Sequence, residues 1–577
     1  MDHSTTSLRA IVRRAAPALL LGALAFSVQA QVVVVPGTPQ VGSSNPATAE
    51  PPVTRPLVKP CVVALFNNLA FADFNTKSFS YSPPASCPGP WSKVVFTADF
   101  TVSAGRQYDR TAAFYLGRAS IYYGTTAEPR ASLSPSWHVE RDVTDLSAIF
   151  LGAQTGEANV GNFVGVYNGV TYDGVIYANA ALEFYPASQR EPAANVPDIV
   201  VPVNGAGGDA GTLNTTADQI TQALALPMNV EKVYLDVIAQ SQSNDEFWYF
   251  CVPSDQAGNL LSCGNTAFRE TEVTIDGVPA GVAPVYPWIF TGGIDPYLWE
   301  PTPGVQTLDF RPYRVDLTPF AGLLGNGSTH TISVSVFNAN SYFLATANLL
   351  VYTDHGSRQV PGKVTGDDLG AAPTPVVSEN IAVDSTGSVY SGSVKVTSQR
   401  AFTISGYVDT SHGRVVTTVH QTIGFSSDQT FQVNPALYAP DVQDAQQLTT
   451  VDSTTTTRTG NREATTTSHL RYPLVVDYTF VQNADGTYSQ TTTVDQKNER
   501  SDVSSGNGSD GNSSTSSKHV HSTSMLSYDS GFNFLGHNNG SSMASYQSRS
   551  GGDSCFSRRL TSVAQVLQSV VDGKDCD

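Results

Sequence analysis

Three clusters of acidic and aromatic residues could do chemistry, and they stand out because only 14% of the 577 residues are charged. The first is Asp109-Arg110 in GRQYDRTAAFYLG, just before an apolar, strand-like run. Neighbouring strand side chains point to opposite faces, so one of the two charges should face a sheet interior or a cleft. A carboxylate there needs hydrogen bonds or a raised pKa. Alternatively, Asp109 caps a turn and Arg110 is a solvated edge charge.

The other two clusters combine acids with aromatic rings. SNDEFWYF places Asp245 and Glu246 beside Trp248. An acid among aromatic rings resembles a sugar subsite, in which rings stack on pyranose faces and a carboxylate holds hydroxyls. A core face beside a solvated strand start has the same pattern. IFTGGIDPYLWEP holds Asp295 and Trp299 in a Gly- and Pro-rich turn of a kind that often carries binding groups, although ordinary turns look the same.

The elements that must position these residues have the pattern of β-strands. Thr, Ser, Val, Tyr, Gly and Pro abound, a composition typical of sheets and turns. Apolar and polar residues alternate in segments such as HTISVSVF, where Ile332, Val334 and Val336 share one face. Such alternation predicts half-buried antiparallel sheet, and short strands between Gly and Pro predict sandwiches or jelly rolls. We therefore predict an all-β fold.

The length of the chain predicts several domains, because one hydrophobic core rarely serves so many residues. Breaks in composition indicate a Pro-rich spacer, a first jelly roll, a second jelly roll, a polar linker and a β-rich accessory domain, at residues 31–56, 57–196, 197–356, 357–376 and 377–577. The accessory domain holds Ser/Thr-rich stretches, which predict long polar hairpins or partly disordered arms.

Residues 1–30 have the pattern of a cleavable export signal. Arg9, Arg13 and Arg14 form a basic segment, AAPALLLGALAF is apolar, and Val-Gln-Ala is a plausible cleavage tripeptide. The apolar run is shorter than the roughly 20 residues that a bilayer requires. We predict a secreted or periplasmic protein that is soluble and has no membrane partner.

The six cysteines fit such an oxidising compartment. Each has a neighbour close in sequence, although six cysteines allow many connectivities. Proximity alone favours disulfides that join Cys61 with Cys87, Cys251 with Cys263, and Cys555 with Cys576. No C-x-x-C occurs, which weakens the alternative of a zinc site.

Charge and missing motifs exclude several classes of function. The net charge of -18 would repel phosphate backbones, so no nucleic acid partner is expected. The motifs of α/β-hydrolases, P-loop proteins and zinc proteases do not occur. His519 and His521 lie in a Ser-rich stretch and are better interpreted as solvated histidines than as metal ligands. We expect neither a metal nor an organic cofactor.

Two long blocks carry a resemblance to a known family. One is CPGPWSKVVFTADFTVSAGRQYDRTAAFYLGRASIYYGTTAEP, and the other includes NDEFWYF and VTIDGVPAGVAPVYPWIFTGGIDPYLWEPTPGVQTLDFRPYRVDLTPFAGLL. They cover residues 87–324 and resemble the peptide:N-glycosidase A family. That family removes intact N-linked glycans by cleaving the amide between the Asn side chain and the first GlcNAc. With the related peptide:N-glycosidase F family, it implies two adjacent eight-stranded jelly rolls and a substrate groove between them.

The resemblance also implies roles for single residues. The principal catalytic aspartate of the related family lies in an Asp-Arg dipeptide that enters a strand, which implies Asp109 with Arg110 in support. A second essential acid lies in a Glu-aromatic segment of the second jelly roll and best matches Glu246. A tryptophan in a long loop helps shape the site, and Trp299 is its counterpart.

The chain departs from the family pattern at two places. A third acid lies late in the first jelly roll of the related family, whereas GEANVGNFVG offers Asn162 or Phe163 at that place. Glu128, in TTAEP, is a nearby candidate for a supporting acid. The long loop of the related family also carries an arginine, whereas here the loop is shorter and Glu300 follows Trp299.

The resemblance implies an amidase that acts as a monomer on N-glycoproteins or glycopeptides. We expect Asp109 to do acid–base work on water or on the leaving nitrogen, and Arg110 to stabilise developing negative charge. Glu246 should hold sugar hydroxyls or a bound water. Four further residues should bind substrate, with the tryptophans as apolar walls: Asp245, Trp248, Asp295 and Trp299. The alternatives are a glycan-binding adhesin and an endoglycosidase, which also needs two carboxylates.

Overall fold

The computed structural model describes residues 38–506, 509–538, 540–551 and 554–573. The predicted signal peptide and the beginning of the predicted spacer lie outside these residues. Two β-sandwiches follow one another in the described chain, and a long antiparallel sheet forms its C-terminal part. The predicted all-β fold of two jelly rolls with a β-rich C-terminal region is confirmed.

The first sandwich contains β1 (Cys61–Phe71), β2 (Lys77–Tyr81), β3 (Trp91–Val102), β4 (Thr111–Leu116), β5 (Ala119–Thr125), β6 (Ser136–Asp142), β7 (Gln154–Val160), β8 (Gly165–Tyr167), β9 (Val170–Tyr172) and β10 (Ile176–Pro186). Its two sheets have the strand orders β1-β10-β3-β6 and β2-β7-β4-β5, which is the order of a jelly roll with the small β8–β9 hairpin inserted. Alternating apolar residues, such as Phe96 and Phe100 of β3, fill the space between the sheets.

The second sandwich contains β11 (Ile199–Val203), β12 (Gly211–Leu213), β13 (Gln219–Leu224), β14 (Val230–Gln242), β15 (Glu270–Ile275), β16 (Val278–Pro284), β17 (Tyr313–Asp316), β18 (His330–Phe337) and β19 (Tyr342–Thr353). Its sheets have the orders β11-β19-β14-β17 and β13-β18-β15-β16, the same jelly-roll order, with β12 added beside β19. The predicted alternation in HTISVSVF belongs to β18, whose Ile332, Val334 and Val336 are fully buried.

The C-terminal sheet contains β20 (Gly362–Asp367), β21 (Val376–Val383), β22 (Tyr390–Thr410), β23 (Gly413–Val433), β24 (Val442–Thr459), β25 (Arg462–Gln482), β26 (Tyr488–Gly506), β27 (Ser509–Tyr528), β28 (Phe534–His537), β29 (Ser541–Ser550), β30 (Ser554–Val563) and β31 (Val566–Gly573). Consecutive long strands pair as hairpins, and the Ser/Thr-rich stretches run along β24 to β27. In the described part of these stretches, the predicted polar hairpins are therefore the correct alternative.

The C-terminal sheet packs against the second sandwich and shares its core. Phe425 of β23 contacts Phe268, with ring centroids 5.1 Å apart, and also faces Trp248. The amide of Gln429, also on β23, donates to the backbone oxygen of Cys251 at 3.1 Å. The sheet therefore lies directly behind the segment that carries Glu246.

Helices are short in the described chain. They are the single-turn α-helices α1 (Ser147–Phe150) and α2 (Ala321–Leu324) and the 3-10 helices Thr144–Leu146, Ser243–Phe250, Pro296–Leu298 and Thr318–Phe320. Among the residues that the structure describes, no helix has the length and apolar character needed to cross a membrane.

Residues 38–56 of the predicted Pro-rich spacer are attached to the first sandwich and to the C-terminal sheet. Arg55 forms an ion pair with Glu140 of β6, with Nη2 and Oε1 2.8 Å apart. Glu50 accepts a 2.7 Å bond from Lys518 of β27. Half-buried ion pairs thus hold a Pro-rich stretch that has no strand of its own.

The predicted linker, residues 357–376, is also partly structured. It contains β20, which pairs with β22 through partners such as Gly362 and Val408. The C-terminal sheet therefore begins inside the segment that the polar composition assigned to a linker.

Two of the three predicted disulfides are present in the described chain. They join Cys61 with Cys87, and Cys251 with Cys263. The third prediction depends on Cys576, which lies outside the described residues.

Candidate active site

Two acids of the first sandwich meet because they flank a pair of neighbouring strands. Asp109 precedes β4 and Glu128 follows β5, and the antiparallel ladder pairs Thr111 with Thr125. Both acids are therefore carried to the same end of the sheet. The backbone N–H of Asp109 donates to Oε2 of Glu128 at 2.8 Å.

A loop of the second sandwich completes the contact with Asp109. We call residues 285–312, which connect β16 and β17, the β16–β17 loop. The backbone N–H of Gly292 in this loop donates to Oδ2 of Asp109 at 2.9 Å. A Cβ at position 292 would overlap Oε2 of Glu128 and lie 2.9 Å from Cγ of Asp109. Only glycine allows the backbone to approach the two acids this closely.

The β16–β17 loop is anchored to the first sandwich on both sides of this contact. The hydroxyl of Thr291 donates to the backbone oxygen of Thr126 at 2.6 Å. Further along the loop, the backbone oxygen of Thr307 accepts from the N–H of Thr125 at 2.9 Å. The two jelly rolls therefore meet at the end of β5, beside the acids.

Glu246 lies on the 3-10 helix Ser243–Phe250 and not on a strand, so the prediction of a strand for NDEFWYF is wrong. The aromatic residues that follow Glu246 turn inward with this helix, and Trp248, Tyr249 and Phe250 are all buried. Glu246 itself is half-buried and interacts electrostatically with Asp109 and Glu128. The structure thus brings together an acid from each jelly roll, as the resemblance implies.

The three acids have unusual protonation behaviour. Burial raises the pKa of Asp109 above its ordinary value, and the bond from Gly292 and the charge of Arg110 act against this shift. Burial and the charge of Asp109 raise the pKa of Glu128 to about 7. Burial and repulsion from the other two acids raise the pKa of Glu246 to about 8. Near neutral pH, the cluster therefore contains both carboxylates and protonated carboxyls, which is the set needed for acid–base catalysis.

Arg110 is buried, with only 6% of its surface exposed, so it is not a solvated edge charge. Its guanidinium lies over the ring of Tyr108, 3.9 Å from the centroid. Its Nη atoms are 3.3–3.4 Å from the side-chain oxygens of Gln107 and Thr126. The charge of Arg110 acts on Asp109 and Glu128 and lowers the pKa of both carboxyls.

Asp245 does not face a substrate cleft, contrary to the sequence prediction. Its side chain is fully buried, and Oδ1 accepts from Nη2 of Arg269 at 2.8 Å. Oδ2 accepts from the backbone N–H groups of Asn340 and Ser341, both at 2.8 Å. A buried carboxylate needs such partners, so Asp245 holds the 3-10 helix that displays Glu246.

The two tryptophans do not form the predicted apolar walls. Trp248 is fully buried and packs toward Phe425 of the C-terminal sheet. Trp299 is 3% exposed, and its Nε1–H donates to the backbone oxygen of Gly293 at 2.8 Å. Both side chains therefore stabilise the segments that carry the site, because the burial of a large aromatic ring contributes much stabilising free energy.

Asp295 and Glu300 shape the β16–β17 loop. Asp295 is 1% exposed and caps the 3-10 turn by accepting from the N–H of Tyr297 at 2.9 Å, so it is also unlike a substrate ligand. Glu300 is half-buried and lies 3.2 Å from Nε of Arg130. Burial raises the pKa of Glu300 to about 7, and the charge of Arg130 lowers it.

Asn162, one of the two residues that the sequence offers at the place of the third acid, has a structural role. Its side-chain N–H group donates to the backbone oxygens of Phe71 and Gly174 at 2.7 and 3.0 Å. Glu128 reaches Asp109 from a different strand end. The third acid beside Asp109 is thus Glu128.

Sequence reasoning did not identify three residues beside the acids. In the sequence, Gly292 is part of a Gly-Gly dipeptide, which indicates a turn and not a contact with Asp109. Tyr297 and Tyr342 are half-buried tyrosines whose pKa is raised mainly by burial and also by neighbouring acids, which include Glu246 for Tyr342. No sequence signal marks either tyrosine, because each comes near the acids only through the fold.

The described residues offer no alternative metal centre. Within these ranges, no group of three or more His, Cys, Asp or Glu side chains is arranged to hold a metal ion. His519 and His521 lie on β27 and contact the carboxylate of Asp495, at 2.8 and 3.3 Å.

Two solved structures show partial similarity to this chain. PNGF-II aligns with a TM-score of 0.35 and 14% identity, over 52% of this chain and 66% of that chain. PNGase F, a glycosylasparaginase from Flavobacterium meningosepticum, aligns with a TM-score of 0.34 and 15% identity, over 51% of this chain and 96% of that chain.

Sequence comparison gives a longer match. The Peptide-N4-(N-acetyl-beta-glucosaminyl)asparagine amidase A of Prunus dulcis is 27% identical over 465 residues, which are 77% of this chain and 79% of that protein. The family model described as Peptide N-acetyl-beta-D-glucosaminyl asparaginase amidase A matches residues 49–368, a region that holds Asp109, Glu128, Glu246 and Gly292. Because this match spans more than half of its length, the chain belongs to the peptide N-acetyl-β-D-glucosaminyl asparaginase amidase A family.

Proposed function

We propose that the chain is a peptide:N-glycosidase, which hydrolyses the amide between an Asn side chain and the first GlcNAc of an N-linked glycan. The reaction releases the intact glycan as a glycosylamine and leaves Asp in the peptide. The observation that carries this proposal is the cluster of Asp109, Glu128 and Glu246 where the two jelly rolls meet, in a chain of the amidase A family.

The chemistry requires a cluster of this kind. An amide is a poor electrophile, so a catalyst must position water, take its proton and protonate the leaving nitrogen. One carboxylate and one protonated carboxyl within reach of the same bond meet both needs. Carboxyl groups can supply these proton transfers without a cofactor.

Asp109 is the group that we assign to acid–base work at the scissile amide. Of the three acids, only Asp109 receives the Gly292 N–H, which favours its carboxylate form, and the charge of Arg110 acts in the same direction. In this form, it can take the proton of the attacking water and pass it to the leaving nitrogen. The backbone bond also holds one oxygen, which leaves Oδ1 to face the reactants.

Glu128 and Glu246 supply protons and hydrogen bonds. With pKa values raised to about 7 and about 8, both retain a proton under mildly acidic conditions and can donate. Glu246 comes from the other jelly roll, so we assign it to the sugar hydroxyls or to a bound water. Arg110, a buried positive charge that interacts with Asp109 and Glu128, supports the developing negative charge.

Aromatic contacts to the sugar come from tyrosines and not from the predicted tryptophans. Tyr342 lies near Glu246, and Tyr297 lies near Glu128 and Glu300. Both residues are half-buried. We propose that these rings flank the first sugars of the glycan.

The substrate is an N-glycopeptide or N-glycoprotein. We propose further that the protein acts as a secreted or periplasmic monomer, without nucleic acid or membrane partners. The net charge of -18 and the two disulfides support this environment.

Product analysis tests the proposed function. One purified N-glycopeptide is incubated with the protein, and the masses of both products are measured by mass spectrometry. The amidase produces a peptide with Asp in place of Asn and a glycan with its complete chitobiose end. A peptide that keeps one GlcNAc on Asn would show an endoglycosidase, and binding without either product would show an adhesin.

A further inference from the structure

The β16–β17 loop is held by the C-terminal sheet through one fully buried side chain, Gln496 of β26. Its Nε2 donates to the backbone oxygen of Pro287 at 2.7 Å. Its Oε1 accepts from the backbone N–H of Val305 at 2.7 Å. A single side-chain amide therefore bonds to the loop on both sides of Gly292. Its hydrogen bonds are stronger than exposed ones, because they are shielded from water.

Neighbouring groups of the C-terminal sheet hold the middle of the same loop. The hydroxyl of Ser522 on β27 donates to the backbone oxygen of Leu298 at 2.6 Å. The ring of Tyr297 stacks on His537 of β28, with centroids 3.9 Å apart. The C-terminal sheet thus contacts the loop before, within and after its 3-10 turn.

The loop needs this external support, because it forms little regular structure. Between β16 and β17, it contains only the 3-10 turn Pro296–Leu298. Its few turn bonds, such as that from the Gly293 N–H to the backbone oxygen of Phe290, are local, so the position of Gly292 relative to Asp109 also depends on neighbouring elements. The Gly292 N–H must nevertheless stay 2.9 Å from Oδ2 of Asp109, with Glu128 in contact on the other side.

We propose that Gln496 is a positioning residue, through which the C-terminal sheet sets the Gly292 N–H against Asp109. This proposal rests on the proposed function for its effect on catalysis. The groups that face Asp109 are Glu128, Glu246 and Arg110, and none of them belongs to the C-terminal sheet. The sheet therefore acts on Asp109 through the loop, whereas it reaches the segment of Glu246 through Phe425 and Gln429.

The chain offers a matched control for this proposal. Gln490 is also a buried glutamine of β26, six residues earlier on the same face. Its Oε1 accepts from the hydroxyl of Tyr528 at 3.2 Å, a contact inside the C-terminal sheet. Gln496→Met and Gln490→Met therefore remove the same amide from the same strand, but only the first removes hydrogen bonds to the loop.

The catalytic test compares kcat, KM and the pH dependence of both variants on one glycopeptide. Gln496→Met should lower kcat by about tenfold or more, since a slight misplacement of a catalytic group is costly. It should also move the limb of the pH–rate profile that belongs to Asp109 to higher pH, because a lost N–H donor favours the protonated acid. Gln490→Met should do neither. Gln496→Glu keeps the acceptor for Val305 and should lose less activity than Gln496→Met.

Hydrogen exchange tests the same proposal without activity. Amides of residues 287–305 should exchange faster in Gln496→Met than in Gln490→Met, at equal overall stability. If exchange of this loop and the pH profile both match those of Gln490→Met, the proposal is wrong. If the wild-type protein forms a different product, the proposed function fails, and the exchange data still decide the positioning role. If Gln496→Met does not fold, Gln496→Leu, which removes the same amide, serves as the exchange sample.

Discussion

Gly292→Ala is the substitution whose effect can be worked out most directly from the site. The added Cβ would overlap Oε2 of Glu128 and lie 2.9 Å from Cγ of Asp109. Carbon atoms in contact need about 3.5 Å, so Asp109 must withdraw by at least about 0.6 Å, and Glu128 further. The backbone of Gly292 does not have a positive φ, so alanine is compatible with its conformation. The effect should therefore fall on the acids and not on the fold.

The magnitude follows from the hydrogen bond that is broken. The Gly292 N–H donates to a carboxylate, and such a charge-assisted bond contributes about 1.5–3 kcal/mol. At about 1.4 kcal/mol per pKa unit, its loss raises the pKa of Asp109 by about 1–2 units. A displacement of about 1 Å can cost a further 100-fold in rate. We expect kcat to fall by about 100-fold and the limb of the pH profile that belongs to Asp109 to move upward by about 1–2 units.

The assay is the initial rate of glycan release from one glycopeptide across a pH series. Gly258→Ala is the control, because a Cβ there meets nothing within 4 Å and the position has no positive φ. If Gly292→Ala keeps the kcat and the pH profile of Gly258→Ala, the contact between Gly292 and Asp109 has no catalytic role.

Two further predictions concern pH and the support of the 3-10 helix. In the unfolded chain, the carboxyls of Glu128 and Glu246 have the ordinary pKa of 4.5, whereas in the folded protein their pKa values are about 7 and about 8. The stability that these two groups contribute is therefore complete below pH 4.5 and is lost as the pH rises through 7–8. The Tm of the protein should fall from pH 5 to pH 8, and activity should decline as the pH rises through 7–8. Glu246→Gln should reduce the dependence of Tm on pH. If this dependence is unchanged in the variant, the raised pKa of Glu246 is contradicted. Arg269→Ala should lower the free energy of unfolding by about 3–5 kcal/mol in urea, because it leaves the buried Asp245 carboxylate unpaired. Arg414→Ala, which breaks an exposed pair with Asp409, is its control and should change stability little.

Much of the architecture could be predicted from the sequence, because strand alternation is a local property. The alternation in β3 and β18 is visible in any short window, and the break between the two jelly rolls coincides with the end of β10 at Pro186 and the start of β11 at Ile199. Asp109 could likewise be placed at the start of a strand. The 3-10 helix at 243–250 was not predictable, because the partners that hold Asp245 there, Arg269 among them, come from distant segments.

The rest of the site depends on contacts between distant parts of the chain. Gly292 meets Asp109 across 183 residues, and Gln496 meets Val305 across 191 residues. Neither contact has a spacing that a sequence pattern could show. In the sequence, Trp248 and Trp299 lie beside acids, as tryptophans of a sugar subsite do. In the fold, both are buried, by contacts with the C-terminal sheet and within the β16–β17 loop.

The most direct test of the account is the rate of intact-glycan release by Asp109→Asn, measured in ¹⁸O-labelled water. Wild type should place the label in the new Asp side chain of the peptide, because water attacks the amide carbon. Asp109→Asn should release glycan about 1,000-fold more slowly, the scale of a lost general acid–base group. Asp255→Asn, which alters an exposed aspartate, should behave as wild type. Release by Asp109→Asn at a rate close to that of Asp255→Asn would contradict the assignment of Asp109 as the catalytic acid–base group.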